Sequence, residues 1–158
     1  MFHALITEVS DRLGLGGDID LHAHALDVHF EDDDPIRIDH HGDRDLISLT
    51  GFIGFYPPRM LQDRLFEHLL QAHIYGLLTD GCVFTVDSEA SKILLFKAFS
   101  LDSLDAGKMI QALKDFRLTL HTWKTAYREG KIVPENAMEK PNSQFHSHYF
   151  ELFNQQMS

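Results

Sequence analysis

Two residues in this chain are spaced for metal chemistry. In the run Ile19-Asp20-Leu21-His22-Ala23-His24, a strand would send His22 and His24 to the same side, as sharing one metal ion requires. Metal-dependent hydrolases built on barrels use this His-x-His form to hold the ion that activates water. Such a barrel usually takes more than about 200 residues and repeats a βα unit that brings further His and Asp ligands to later strand ends. The chain has 158 residues and no βα repeat, so a structural or solvent-facing pair is the favoured reading. The eleven histidines also include His40-His41 and His146-x-His148, pairs that pick up zinc or nickel adventitiously when exposed, or that respond to pH near neutrality. His68 and His73 fall on a helix and read as packed or interfacial residues rather than ligands.

Other reactive signatures are missing. No serine stands in a Gly-x-Ser-x-Gly elbow, and no glycine loop has the Walker spacing. Cys82 lies beside Val83 and Phe84, where a thiol is inert. Between residues 31 and 45, Glu31, Asp32, Asp33, Asp34, Asp39, Asp43 and Asp45 stand against Arg37 and Arg44. They lack the alternating spacing and closing Glu of a calcium-binding EF-hand loop and read as a solvated acidic edge. No metal, cofactor or catalytic group is expected, which points to a binding protein rather than an enzyme.

Composition narrows the partners. A net charge of −10 and a pI near 5.4 argue against nucleic acid and anionic membrane surfaces, which both require clustered Lys and Arg. Cys82 is the only cysteine, so no disulfide framework or Cys-rich zinc site is expected, and the cytoplasm is the default compartment. The first residues, Met1-Phe2-His3-Ala4-Leu5-Ile6, lack the basic and continuous apolar regions of a signal peptide, and no stretch is apolar enough to insert in a membrane. With 44% hydrophobic residues the chain can bury one core of ordinary size.

The elements that must position any site follow from periodicity. Phe2, Leu5, Ile6, Val9 and Leu13 form one helical stripe, stopped by Gly14, Gly16 and Gly17. Ile19 to Phe30 suits a strand, the acidic run into Pro35 a turn, and Ile36 to Ile38 a second strand. His40 to Asp45 reads as another turn before Leu46 to Phe55, a central strand twisted or bulged at Gly51 and Gly54, and a three-stranded meander is the simplest join. Pro57-Pro58 opens a second helix, about Arg59 to Leu78, whose apolar residues cover more than one stripe and imply burial on two sides, one of them a subunit interface. Cys82 to Val86 and Ile93 to Phe99 read as a hairpin, and Asp102 or Ser103 caps a last helix running from Leu104 through Trp123 to Gly130. The expected fold is therefore α+β, an antiparallel sheet with helices in the order α-β-β-β-α-β-β-α. Beyond Gly130 the polar stretch with Pro134 and Pro141 carries Phe145, Tyr149, Leu152 and Phe153, and 131–158 is expected to be a C-terminal extension, partly ordered or contacting a partner.

Three segments carry a resemblance. They are Leu5-Ile6-Thr7-Glu8-Val9-Ser10-Asp11-Arg12-Leu13-Gly14-Leu15, the passage from Leu69-Leu70-Gln71-Ala72-His73 to Gly81-Cys82-Val83-Phe84, and Ile93-Leu94-Leu95-Phe96-Lys97-Ala98-Phe99-Ser100-Leu101-Asp102. In this order they make residues 1–130 similar to the class I type III secretion chaperones, the Tir-chaperone or CesT-like family of pathogenic bacteria. His73 departs from the Asn usual in that family.

The resemblance implies a cytoplasmic homodimer that binds the N-terminal region of a secreted effector, keeps it extended and secretion-competent, and delivers it to the export ATPase. It also implies effector contacts from Phe2, Leu5, Ile6, Val9 and Leu13 on helix one and from Leu26, Val28, Ile36 and Ile38 on the neighbouring strands, some of which must be core instead. Leu69, His73, Leu77, Val83 and Phe84 become the dimer-interface residues. Two rival readings stand beside this one: a small metal-dependent hydrolase using His22 and His24, and a regulator on the same fold.

Overall fold

The computed structural model describes residues 1–14, 24–30, 34–56, 59–73, 76 and 78–131. The elements are α1 (Phe2–Leu13), β1 (Ala25–Val28), β2 (Ile36–His41), β3 (Leu46–Phe55), α2 (Arg59–Ala72), β4 (Val83–Asp87), β5 (Lys92–Ser100) and α3 (Ala106–Arg128). This is the expected α+β order, with a 3-10 turn at Leu101–Ser103 between β5 and α3. His22, Leu77 and residues 132–158 lie outside the described residues.

The strands form one antiparallel sheet in the order β1-β2-β3-β5-β4. The meander β1-β2-β3 is present, and the β4-β5 hairpin docks through β5 onto β3, which puts β3 in the middle. Registers such as Leu26 opposite Ile38, Ile38 opposite Leu49 and Phe84 opposite Leu95 align the apolar residues of every strand on one face. On that face Val28, Ile36, Ile38, Ile47, Leu49, Ile93 and Leu95 are all buried. Each such side chain contributes about 1.5–3 kcal/mol relative to exposure, so the sheet's inner face is the main source of stability.

Helix α3 covers this face, and its seat depends on two glycines of β3. A Cβ on Gly51 would come within 2.4 Å of Leu120 Cδ2, and one on Gly54 within 2.5 Å of Tyr127 Cε1. The register of β3 also shifts between Phe52 and Gly54, the bulge expected there. Met109, Leu113, Phe116, Leu120 and Trp123 line the buried side of α3, and α1 packs beside it with Phe2, Leu5, Ile6 and Val9 buried.

Several boundaries differ from the sequence reading. Strand β1 is described only from Ala25 to Val28, with His29 and Phe30 beyond its end. Strand β2 runs on to His41 because His40 and His41 pair with Ile47 and Leu46, so the ladder overrides the turn propensity of that polar run. Helix α2 ends at Ala72 rather than Leu78: the chain tightens through His73 N–H to Leu70 O, 3.1 Å, and Gly76 N–H to His73 O, 2.8 Å. Gly76 takes φ +67, and a Cβ there would sit 2.9 Å from Gly81 Cα, so this fold-back requires glycine. The cap of α3 is Asp105, which accepts from Lys108 N–H at 2.8 Å, and neither Asp102 nor Ser103. Those two belong to the 3-10 turn, where Ser103 Oγ donates to Ser100 O at 2.7 Å.

Candidate functional site

Among the described residues several histidines converge where α1 meets β1 and β2. His40 stacks on Phe2 with ring centroids 4.5 Å apart, and His24 lies 6.1 Å away on its other flank. His3 and His41 complete the cluster with Asp45. Burial first, and then the neighbouring His24, hold the His40 imidazole below its ordinary pKa of 6.5; Asp45 pulls upward, and His3 and His41 add smaller downward contributions. Its Nδ1 is buried without a hydrogen-bond partner among the described residues. Among those residues no group of three or more His, Cys, Asp or Glu could hold a metal ion. The His22 half of the His-x-His pair is outside them, and His24 is exposed.

Apolar surface is concentrated at two other places. The first lies between α2 and the edge strand β4. Phe66, Leu69, Leu70 and His73 from α2 and the residue after it face Phe84, Thr85 and Val86 of β4 and Ile93 of β5, around a cavity of about 250 Å³. The rim is open to solvent: Leu70 is 66% exposed and Val86 48%. The His73 ring stacks on Phe84 with centroids 5.2 Å apart, and its Nε2 accepts the Phe84 backbone N–H. Trp123 meets the Phe84 ring edge-on at 4.8 Å and donates its indole N–H to Leu78 O at 3.2 Å, which pins the loop after α2 to α3.

The second surface is the outer face of the sheet, away from α3. Side chains alternate along a strand, so the residues between those of the core line this face. Val83 pairs with Phe96 and Phe96 with Thr50, while Thr85 pairs with Leu94 and Leu94 with Phe52. Val83 is exposed, and Phe52, Leu94 and Phe96 are half-buried. Phe55 packs on Phe52 edge-on at 5.2 Å and is 62% exposed at the end of β3. Lys92 Nζ sits 5.8 Å above the Phe52 ring. Acids rim the same face through Asp27 and Asp39, both paired with Arg37.

The residues expected at the effector site fall mostly in the core. Phe2, Leu5, Ile6, Val9, Val28, Ile36 and Ile38 are buried, while Leu13 and Leu26 are half-buried and packed against them. Of the residues expected at the subunit interface, Leu69, His73 and Phe84 come together at the cavity, and Val83 points to the outer face of the same strand. The sequence reading missed Leu70, Val86, Phe52, Leu94 and Phe96. The available signal was the second apolar side of α2 and the presence of apolar residues on both faces of β3, β4 and β5.

The sequence pattern of the Tir chaperone protein (CesT) family matches residues 4–124. No curated protein sequence is significantly similar to the chain. Among solved structures, one described as the HopA1-SchA chaperone-effector complex superposes with a TM-score of 0.60 at 16% identity, covering 81% of this chain and 93% of that one. The type III secretion chaperone SycH of Yersinia pestis, solved in complex with a fragment of YscM2, gives a TM-score of 0.58 at 13% identity, covering 78% and 99%. An uncharacterized protein from Methanothermobacter thermautotrophicus gives 0.57 at 17% identity, covering 82% and 99%. At such identities these likenesses establish the fold.

Proposed function

The chain belongs to the Tir chaperone protein (CesT) family of type III secretion chaperones, and on that footing we propose that it binds the N-terminal region of a secreted effector in the bacterial cytoplasm. In this reading the effector segment stays extended on the chaperone and is delivered to the export ATPase. The observation that carries the proposal is the apolar outer face of the sheet, Phe52, Phe55, Val83, Leu94 and Phe96, on a chain of net charge −10. An extended client gains affinity by setting alternate side chains against such a face, and the surrounding acids favour a basic segment. Helix α1 and strands β1 and β2, with Phe2, Leu5, Ile6, Val9, Val28, Ile36 and Ile38 buried, form the support of that surface; Leu13 and Leu26 are their partly exposed members.

Pairing of two copies through α2 and β4 completes the proposal. Leu69, His73 and Phe84 supply the cavity wall, Leu70 and Val86 the exposed rim, and β4 the free edge of the sheet. An apolar rim beside an open strand edge is a surface that soluble proteins ordinarily cover.

The test is native purification of the chain from its own bacterium under secretion-inducing conditions, with mass spectrometry of what accompanies it. Secreted proteins retained through their N-terminal regions are expected, and the Leu94→Asp, Phe96→Asp double variant should lose them while keeping its circular dichroism spectrum. Retention of the same proteins by the folded double variant would place the client elsewhere on the molecule.

A further inference from the structure

We infer that the neutral His73 side chain is a pH-sensitive latch, holding the end of α2 onto edge strand β4, so that acidification opens the face proposed above for pairing with a second copy. The coupling to pairing rests on that proposal. The latch itself rests on geometry within one chain.

A backbone N–H can only donate. Because the Phe84 N–H points at His73 Nε2, that nitrogen must carry a lone pair, and the single ring proton belongs on Nδ1. Adding a proton to Nε2 sets N–H against N–H: the bond is lost and two donors face each other. The ring cannot swing aside freely, since it is stacked on Phe84 at an interplanar angle of 16° and its own backbone is fixed by the bonds to Leu70 O and from Gly76 N–H.

The Phe84 N–H has no ready replacement for this acceptor. Phe84 lies on the edge strand, opposite Leu95 of β5, and its N–H goes to the imidazole. Opening the latch therefore leaves a backbone donor beside an apolar cavity, which is unfavourable until water enters.

Among the described residues no charged side chain lines the cavity around the ring to hold a proton there. Among the described residues the cavity is lined by Phe66, Leu69 and Leu70 from α2, by Phe84, Thr85 and Val86 from β4, and by Ile93 from β5, and the alternation of β4 turns the Thr85 side chain to the opposite face from Phe84 and Val86. From α3, Trp123 closes the far edge of Phe84. The other titratable side chains described on α2 are Glu67, exposed, and His68, buried, and neither lines the cavity. In keeping with this, burial alone pushes the His73 pKa below its ordinary 6.5.

The direction of the effect follows. Above pH 6.5 the imidazole is neutral whether the latch is open or closed, and closure is at full strength. Below 6.5 the open state takes up a proton that the closed state refuses, so opening gains up to about tenfold per pH unit until the depressed pKa of the closed state is reached. His40, also depressed, moves global stability the same way, so a local reading is required.

The experiment follows amide hydrogen exchange of the full chain by NMR between pH 7.5 and 5.0, corrected for intrinsic rates, with sedimentation velocity on the same samples. Protection of the Phe84 amide should fall several-fold more than that of Leu49 in the β2–β3 ladder, and the sedimenting species should shift from dimer toward monomer. His73→Asn keeps a side-chain acceptor that does not titrate, and it should hold Phe84 protection level across this range. If that variant does not fold, the wild-type imidazole resonances decide alone. A His73 pKa at or above 6.5, or Phe84 protection that tracks Leu49, overturns the latch. A chain that is monomeric at every pH while Phe84 protection still falls supports the latch and removes the pairing. A dimer unchanged while Phe84 protection falls overturns the coupling.

Discussion

Replacing Gly51 with Ala tests the seat of α3 on the sheet, from which the α2–β4 face takes its shape through Trp123. The new Cβ would lie 2.4 Å from Leu120 Cδ2, 2.8 Å from Cδ1 and 3.1 Å from Cγ. The outer two contacts are with the tip of a flexible side chain, but Cγ cannot retreat without moving α3. Overpacking of this kind costs about 1–3 kcal/mol. Ala in place of Gly within a strand returns about 0.5–1 kcal/mol through the unfolded chain, so the net loss should be about 0–2.5 kcal/mol, centred near 1 kcal/mol. For a chain of this length the centre of that range is a drop in Tm of roughly 2–4 °C. The single tryptophan, Trp123, is buried beneath Phe84 and reports unfolding directly, so urea titration by fluorescence at fixed protein concentration is the assay. Leu120→Ala alone should cost about 2–5 kcal/mol as a cavity. In that background the three atoms nearest the new Cβ are gone, and the substitution should become neutral or stabilising. A cycle in which the two losses simply add would refute the close approach of α3 to β3.

Three further outcomes follow from the same contacts. Trp123→Phe keeps an aromatic ring against Phe84 but deletes the donor to Leu78 O and part of the buried indole, and should cost at least about 1–3 kcal/mol in urea unfolding, with exchange rising first in the loop after α2. His40 is held below its ordinary 6.5, so the unfolded chain binds the proton first and stability should decline as pH falls below 6.5, by at most ~1.4 kcal/mol per pH unit; His40→Gln should flatten that part of the profile. The Asp105 carboxylate is held below its ordinary 3.8 chiefly by the Lys108 N–H, so the cap acts above that value and fades as pH falls through the lower one. Asp105→Ala should fray the first turn of α3, seen as faster exchange at Lys108 and Met109, with the sheet amides unchanged.

Much of the architecture was legible because its signals are local. The stripes of α1 and α3 have helical period, and Gly51 and Gly54 announced a twisted or bulged β3. The features that escaped depend on pairing across distance. His40 and His41 read as a turn until Ile47 and Leu46 are set opposite them. The stripe of α1 reads equally as a docking surface or as core, and only its packing against α3 and the sheet decides for core. Strands β3 and β5 are apolar on both faces, which in sequence resembles full burial; among the described residues no helix packs on the outer face, a property of the layer count. The bond between His73 and the Phe84 N–H joins two residues across the loop after α2, and no periodicity signals it.

The likeness to solved structures at 13% and 17% identity extends to the fold, and a shared sheet with its helices does not by itself specify a client. The inner face, with Ile38, Leu49 and Leu95 wholly buried, is what any sequence must satisfy to reach this fold. The outer face is under no such constraint: Leu94, Phe96 and Val83 contribute little to the core, and polar residues of similar strand propensity would serve the sheet as well. Keeping apolar side chains there raises the risk of aggregation and is sensible only where a partner covers them. The net charge of −10 offsets that risk through the general repulsion that keeps acidic molecules from aggregating. Function is therefore to be sought in the residues that the fold leaves free, and a variant with Thr at Leu94, Phe96 and Phe52 should fold as the parent does and hold no client.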